Sequence, residues 1–312
     1  MPRAAPDEAR ATATRADAVT TKVAGAPLRP ILKWAGGKSK LVPQILARLP
    51  ESIDTYYEPF VGGAAVFFAL ASHQRFKHAV LSDANQELVD VYLGVQKKVS
   101  AVIKLLATYE KRHCREVYYE TREIAPSQLD LAERAARLIY LNKTGYNGLY
   151  RVNQSGQFNV PMGRYTNPNI CDEERLRAAA RVLKKDVTIE TADFERVLEK
   201  AASGDAVYFD PPYVPLSKTS SFTAYHSEAF GDDDHERLAK AFRVLTVRGI
   251  RAVLSNSNTP VTRKLYPSDD YSVEHPLVAR AINSKSSLRG EVKELLVSNG
   301  SQVDASRRRR KR

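Results

Sequence analysis

The sequence predicts an α/β fold, an open and mostly parallel sheet covered by helices and interrupted by a mostly helical insertion. Three observations carry this expectation. Four apolar runs each end in a polar or turn residue, the pattern of buried parallel strands. Stretches of helical periodicity lie between them. The second and third runs are separated by far more chain than a plain crossover needs.

Residues 1–27 are rich in Ala, Thr and Arg, with Asp7, Glu8 and Asp17 among them. A disordered extension is expected there. A transit peptide fits less well, because such peptides avoid acids, and no apolar h-region marks a secretory signal. The segment Lys33-Trp34-Ala35-Gly36-Gly37-Lys38-Ser39 follows. Its Gly-Lys-Ser resembles the end of a phosphate-binding P-loop, but that pattern requires glycine where this chain has Leu32. Trp34 is the only Trp of the chain, and reads either as a core residue or as a wall for a bound cofactor.

The first strand is expected at Thr55–Phe60. It runs into Glu58-Pro59-Phe60-Val61-Gly62-Gly63-Ala64, where a helix patterned over Ala64–Ala71 begins. Glycines at such a turn let a nucleoside approach backbone N–H groups, although many nucleotide folds share the feature. The second strand, His78–Asp83, ends in a carboxylate suited either to ribose hydroxyls or to a helix N-cap.

Helical patterns then cover Leu88–Tyr109, Leu129–Leu141 and Asp172–Lys184. Residues 86–186 are expected to form an inserted helical domain, with the sheet domain divided into 28–85 and 187–300. Within the insert, Tyr146-Asn147-Gly148-Leu149-Tyr150-Arg151 combines aromatic, amide, apolar and guanidinium groups. Arg can donate two bonds to guanine, and Leu or Pro can touch a thymine methyl. Gly145, Gly148, Gly156 and Gly163 favour a loop or hairpin suited to a groove. Arg134, Arg137 and Lys143 on the preceding helix are expected to contact phosphates. Any one of these residues, taken singly, also reads as ordinary solvated surface.

The third strand, Ala206–Asp210, leads into Asp210-Pro211-Pro212-Tyr213. An aromatic amine such as adenine N6 is a poor nucleophile, because its lone pair is delocalised into the ring. A carboxylate and a backbone carbonyl gripping its two N–H bonds favour a pyramidal nitrogen. Asp210 and Pro211 offer that pair, the prolines fix the chain direction, and Tyr213 offers a face for an extruded base. A plain strand end with a Pro-Pro turn accounts for the same four residues. The fourth strand is expected at Ile250–Asn256, after a helix at Asp234–Leu245. Leu277–Ile282 and Val292–Val297 read as two further strands around a turn.

Composition bounds the remaining possibilities. The chain has 312 residues, 43% of them hydrophobic, enough to bury a core. Cys114 and Cys171 have neither CxxC nor zinc spacing and are expected as free thiols; no metal site is expected. His226 and His235 are expected at the surface or a hinge. No run approaches the ~18 apolar residues of a membrane span. Half of the formal net charge of +12 lies in Arg307–Arg312, within an expected basic, disordered tail at 301–312 that favours a polyanionic partner.

From Ile31 to Ser298 the chain resembles the Dam-type DNA adenine N6-methyltransferases, the class α, D12-type family with GATC-specific members. The resemblance lies in Leu32–Lys38, Glu58–Gly62, Asn142–Pro161, Asp210–Tyr213 and Phe222–His226, in that order. It implies a Rossmann-like S-adenosylmethionine-dependent methyltransferase sheet with an inserted target-recognition domain. It implies S-adenosyl-L-methionine as methyl donor, with cofactor contacts at Trp34, Lys38, Asp83 and Asp210, and with Glu58, Phe60 and Gly62 in the cofactor turn. Asp210, Pro211, Pro212 and Tyr213 match the catalytic motif. Lys33, Tyr146, Asn147, Leu149, Arg151 and Pro161 match positions that probe and read GATC. The implied reaction is base flipping followed by direct attack of adenine N6 on the methyl group. The implied partner is double-stranded DNA, met by a monomer in the cytoplasm at the nucleoid, with or without a cognate restriction endonuclease. In one departure, the family's turn often reads Phe-x-Gly-x-Gly, and here Ala64 holds the last glycine position. Cytosine N4 methylation, an RNA or glutamine methyltransferase, and a DNA-binding regulator without catalysis are the competing readings.

Overall fold

The structure, a computed structural model, describes residues 28–34, 36–215, 230–279 and 291–300. The expectations for the N-terminal extension, the Phe222–His226 segment and the Arg-rich tail lie outside these residues.

In chain order the elements are α1 (Val42–Leu46), β1 (Ile53–Glu58), α2 (Ala65–Ser72), β2 (Phe76–Asp83), α3 (Gln86–Arg112), α4 (Arg115–Glu123), α5 (Leu131–Thr144), α6 (Glu173–Leu183) and β3 (Val187–Thr191). They continue with α7 (Val197–Lys200), β4 (Ala206–Phe209), α8 (Asp232–Val247), β5 (Arg251–Ser257), α9 (Pro260–Leu265), β6 (Ser272–Glu274), β7 (Leu277–Ala279) and β8 (Glu291–Ser298).

The strands form one sheet in the order β3-β2-β1-β4-β5-β8-β6, with β7 paired to β8. The five from β3 to β5 are parallel, and β8 runs antiparallel between β5 and β6. This is a Rossmann-like α/β sheet. All four residues of β4 are buried, as an apolar run covered on both faces requires. Strand side chains alternate between two cores. Tyr56, Tyr208 and Val253 join α2 and α3 on one face, while Tyr57, Val207, Phe209 and Leu254 join Leu238, Phe242 and Leu245 of α8 on the other.

The helix α3 starts directly after β2, where the Asn85 side chain accepts from the N–H groups of Glu87 and Leu88. It kinks at Lys98 and packs along α5 and α6. The close approach depends on Gly94, since a Cβ there would lie 2.4 Å from Ala135 Cβ on α5. A capping box between Asp130 and Glu133 opens α5. Leu88, Val91 and Tyr92 of α3 belong to the same buried cluster as Tyr56 and Leu81, so the first turns of α3 are part of the sheet's own core.

Candidate active site

In the strand order, β1 and β4 are neighbours whose following connections diverge, which opens a crevice at their carboxyl ends. The turn after β1 and the Asp210 loop after β4 meet there. Gly62 takes φ +44° and Ala64 takes φ +55°, both left-handed. A Cβ on Gly62 would come 2.9 Å from Trp34 Cδ1, so a side chain there would displace the indole. Ala64 keeps its methyl in the conformation that glycine adopts most easily. The Gly62 N–H donates to Asp83 Oδ2 at 3.4 Å, and Tyr92 OH donates to the Gly62 carbonyl at 2.6 Å. Trp34, Gly62 and Asp83 therefore share one wall, with apolar, backbone and carboxylate groups of the kind a nucleoside needs.

Glu58, expected among the cofactor contacts, sits beneath this wall and is 2% exposed. One of its oxygens accepts from Tyr56 OH at 2.8 Å and from the Phe67 N–H in the first turn of α2 at 3.1 Å. Burial pushes its carboxyl up to about 8, against the pull of the Tyr56 hydroxyl, with Asp210 adding to the rise. The folded chain thus holds this proton where the unfolded chain has released it. The stability that this adds is complete below the unfolded value of about 4.3 and is lost as pH rises through about 8. In denaturant melts between pH 5 and 8, Glu58→Gln should lose less stability with rising pH than the parent. Parallel curves would reject a proton at Glu58.

Phe60 lies in an aromatic group, stacked on Phe194 at 5.5 Å and edge-on to Phe209 and Phe230. Phe194 and Phe230 escaped the sequence reading. Only their nearness to strand ends and to acidic turns marks them. His235, expected at the surface or a hinge, is buried with its ring 4.8 Å from Phe230.

At the head of β4, Asp210 Oδ1 meets Lys38 Nζ at 2.8 Å and accepts from Ser255 Oγ at 2.9 Å. Ser255 Oγ is also 2.9 Å from Tyr208 OH. Lys38 is 6% exposed, bonds the Gly36 carbonyl, and lies 4.4 Å from the Tyr213 ring centre. Burial raises the Asp210 pKa, opposed by the Lys38 charge and by the bonds from Lys38 and Ser255. Tyr213 OH donates to Glu294 Oε2 at 2.7 Å, and the Val214 N–H donates to Asn256 Oδ1 at 3.1 Å. Ser255, Asn256 and Glu294 thus fix the Asp210–Tyr213 loop. They went unread because only the registers of β4 with β5, and of β5 with β8, bring them there. Among the described residues, the Pro211 carbonyl accepts no hydrogen bond.

The segment expected to face DNA folds as a loop pair. Tyr146 N–H donates to the Pro161 carbonyl at 2.9 Å, and bridges join Gly145 to Met162 and Val152 to Phe158. Asn147 and Gly148 take φ +54° and +64° in succession. Tyr146, Asn147, Arg151, Pro161 and Lys33 are exposed, and Leu149 is half-buried. Tyr146 is 46% exposed, unusual for a ring of its size. Arg151 is braced rather than free, with Nε donating to Asn159 Oδ1 at 2.7 Å and an Nη to the Asn159 carbonyl at 3.1 Å. Lys33 Nζ lies 4.3 Å from the Tyr165 ring centre.

The structure corrects two of the three phosphate contacts expected on α5, those of Arg134 and Arg137. Arg137 is 2% exposed and pairs with Glu87 at 2.8 Å, while donating to the carbonyls of Thr121 and Arg122. Arg134 pairs with the buried Asp90 at 2.8 Å. Both belong to the packing of α5 on its neighbours. Cys114 and Cys171 are free thiols. An open hollow lined by Glu190, Thr191, Asp193 and Glu195 lies past the edge strand β3 and unites none of the expected site residues. No described helix is long and apolar enough to cross a membrane.

Comparison with known proteins agrees in kind. A family model for the D12 class N6 adenine-specific DNA methyltransferase matches residues 34–282. The type II methyltransferase M.MjaIII of Methanocaldococcus jannaschii is 43% identical over 291 residues, covering 87% of this chain and 99% of that protein. The type II methyltransferase M1.LlaDCHI of Lactococcus lactis is 40% identical over 277 residues, with 87% and 95% covered. The DNA adenine methylase of Escherichia coli is 36% identical over 270 residues, with 86% and 94% covered.

Proposed function

The chain belongs to the D12 class of N6 adenine-specific DNA methyltransferases, and from that membership we propose that it methylates adenine within GATC in double-stranded DNA after turning the base out of the helix. The observation that carries this reading is the Asp210–Pro211 pair at the sheet's switch point. Among the described residues, the carboxylate is held through Oδ1, beside a carbonyl that accepts no hydrogen bond.

S-adenosylmethionine, the donor that this family implies, supplies a methyl carbon made electrophilic by its sulfonium charge. The Trp34, Gly62 and Asp83 wall fits its nucleoside, and Lys38 and Asp210 fit its charged end. The remaining chemistry belongs to the chain. Asp210 and the Pro211 carbonyl accept the two N6–H bonds of adenine and turn its lone pair out of the ring plane. An Asp210 oxygen receives the proton that N6 sheds. Tyr213, braced by Glu294, offers its ring to the extruded base. Lys38 couples the two halves by holding Asp210 and lying beside Tyr213. Glu58 supports the turn from below and Phe60 anchors it in the aromatic group.

Lys33, Tyr146, Asn147, Leu149, Arg151 and Pro161 form the reading surface, with Tyr146 as the exposed ring able to enter the stack. Residues 86–186 act as the recognition region, and the sheet on either side as the catalytic one. The test is methylation of plasmid DNA, followed by endonucleases that differ in their response to GATC methylation. Protection confined to GATC supports the reading, and product analysis showing N4-methylcytosine would overturn it. In the same assay, Arg151→Ala should lose about 1–3 kcal/mol of discrimination against duplexes with one altered base pair, roughly 5- to 150-fold. An equal loss on every duplex would make Arg151 a phosphate contact.

A further inference from the structure

The Lys33–Trp34 segment stands between the crevice and the reading loop. On one side Trp34 closes against Gly62, where a Cβ would have no room. On the other, its ring lies 5.6 Å from the Tyr150 ring, tilted by 30°. The backbone of Lys33 is clasped by one side chain from α5. Asn142 Oδ1 accepts the Lys33 N–H at 2.8 Å, and Asn142 Nδ2 donates to the Lys33 carbonyl at 2.7 Å and to the Gly148 carbonyl at 2.9 Å. Asn142 is 1% exposed, so water cannot stand in for any of these bonds. Both amide protons and the amide oxygen are used, and no other side chain of this size offers that set. Gly148 brings the loop within reach: a Cβ there would meet Lys33 Cβ at 2.6 Å.

We infer that Asn142 is a positioning residue that couples the cofactor wall at Trp34 to the base-reading turn at Tyr146–Leu149. The inference rests on the function proposed above. A ligand that settles against Trp34 selects one position of the Lys33 backbone. The same amide then holds Gly148, between the proposed reading residues Tyr146 and Arg151, in one register with it. Coupling of this kind is reciprocal, so cognate DNA on the loop tightens the cofactor by the factor that the cofactor tightens DNA.

The test compares the parent with Asn142→Asp, which keeps an acceptor for Lys33 N–H and loses both donors. Asn142→Ala is a second variant that removes all three bonds without adding charge. The first readout is the dissociation constant of S-adenosylhomocysteine, with and without a GATC duplex. Tightening by about fivefold or more is expected in the parent, at the low end of ordinary coupling. It should fall below about twofold in the variants, with binding in the absence of DNA nearly preserved. The second is amide hydrogen exchange on adding S-adenosylhomocysteine alone. In the parent, exchange should slow both at Ile31–Trp34 and at Gly145–Tyr150, and in the variants only at the first. A merely structural role lowers the melting temperature and both separate affinities but leaves the coupling ratio unchanged. A folded variant that keeps the ratio and both exchange responses overturns the inference, as does a parent without a response at Gly145–Tyr150. A parent that binds S-adenosylhomocysteine and shows both responses, yet methylates no adenine in DNA, overturns the proposed function instead.

Discussion

Replacing Asp210 by Ala should lower turnover on a GATC duplex by about a thousandfold or more while the fold survives, since positioned acid–base and electrostatic groups are each worth about 10²–10⁴ in rate. The carboxylate sits where three demands meet. It bears the Lys38 ammonium at 2.8 Å and the Ser255 hydroxyl at 2.9 Å, and the proposed reaction asks it to grip N6. Ala removes the acceptor and also leaves Lys38, 6% exposed, without its carboxylate. Lys38 still has the Gly36 carbonyl and the Tyr213 ring, which limits the structural damage. Asp210→Asn separates the two effects. It is nearly isosteric and one oxygen can still accept from Ser255, but its amide places a donor where N6 also donates. Both variants should bind S-adenosylhomocysteine more weakly and hold their melting cooperativity. Single-turnover transfer of a labelled methyl group to a duplex measures the loss. Near-normal transfer by a folded Asp210→Ala protein would remove the carboxylate from the mechanism.

The parts of this site that were legible in the sequence are those where local chain chemistry is decisive. The strands β1, β2, β4 and β5 announce themselves through short apolar runs, at Tyr56–Tyr57, Ala79–Leu81, Ala206–Phe209 and Ala252–Leu254, of the kind a sheet covered on both faces requires. The Gly62 turn and the Asp210-Pro211-Pro212-Tyr213 motif depend on backbone constraints that only glycine and proline supply. The edge strand β3 was not legible, because Ile189 is its one buried residue and its remaining positions are polar or half-exposed. The short β6 has no buried residue at all. The helix α4 buries only Tyr118 and Thr121 among charged neighbours, too little for a clear period. The supporting residues were hidden for a different reason. Ser255, Glu294 and Asn142 are ordinary polar residues in their own segments. Their partners stand 45, 81 and 109 positions away, and only sheet register or helix packing joins them.

Arg137 shows the same difficulty from the opposite side, and Arg137→Ala should destabilise the fold by about 3–5 kcal/mol, the usual result of breaking a buried ion pair from one end. Its spacing from Arg134 suggests a basic helix face. That face is instead the one that α5 turns toward α3, and the guanidinium is 2% exposed. Its Nη1 donates to Glu87 Oε2 at 2.8 Å, and its Nε and other Nη close the carbonyls of Thr121 and Arg122. Without it, a Glu87 side chain only 16% exposed keeps, among the described residues, one side-chain donor, Tyr150 OH at 3.0 Å on Oε1, and two carbonyls lose theirs. The damage should spread toward Trp34, because Tyr150 is the ring that packs against it. Removing both charges together should cost much less. The double variant Glu87→Gln, Arg137→Met leaves no uncompensated charge and keeps an acceptor for Tyr150, so it should recover more than half of the loss. Urea denaturation of the single and double variants measures these differences. The salt dependence of DNA binding gives the contrary outcome, since a phosphate contact would leave stability within about 0.5 kcal/mol and lower the salt slope by about one. A folded Arg137→Ala protein with parental stability and a reduced salt slope would return Arg137 to the DNA surface.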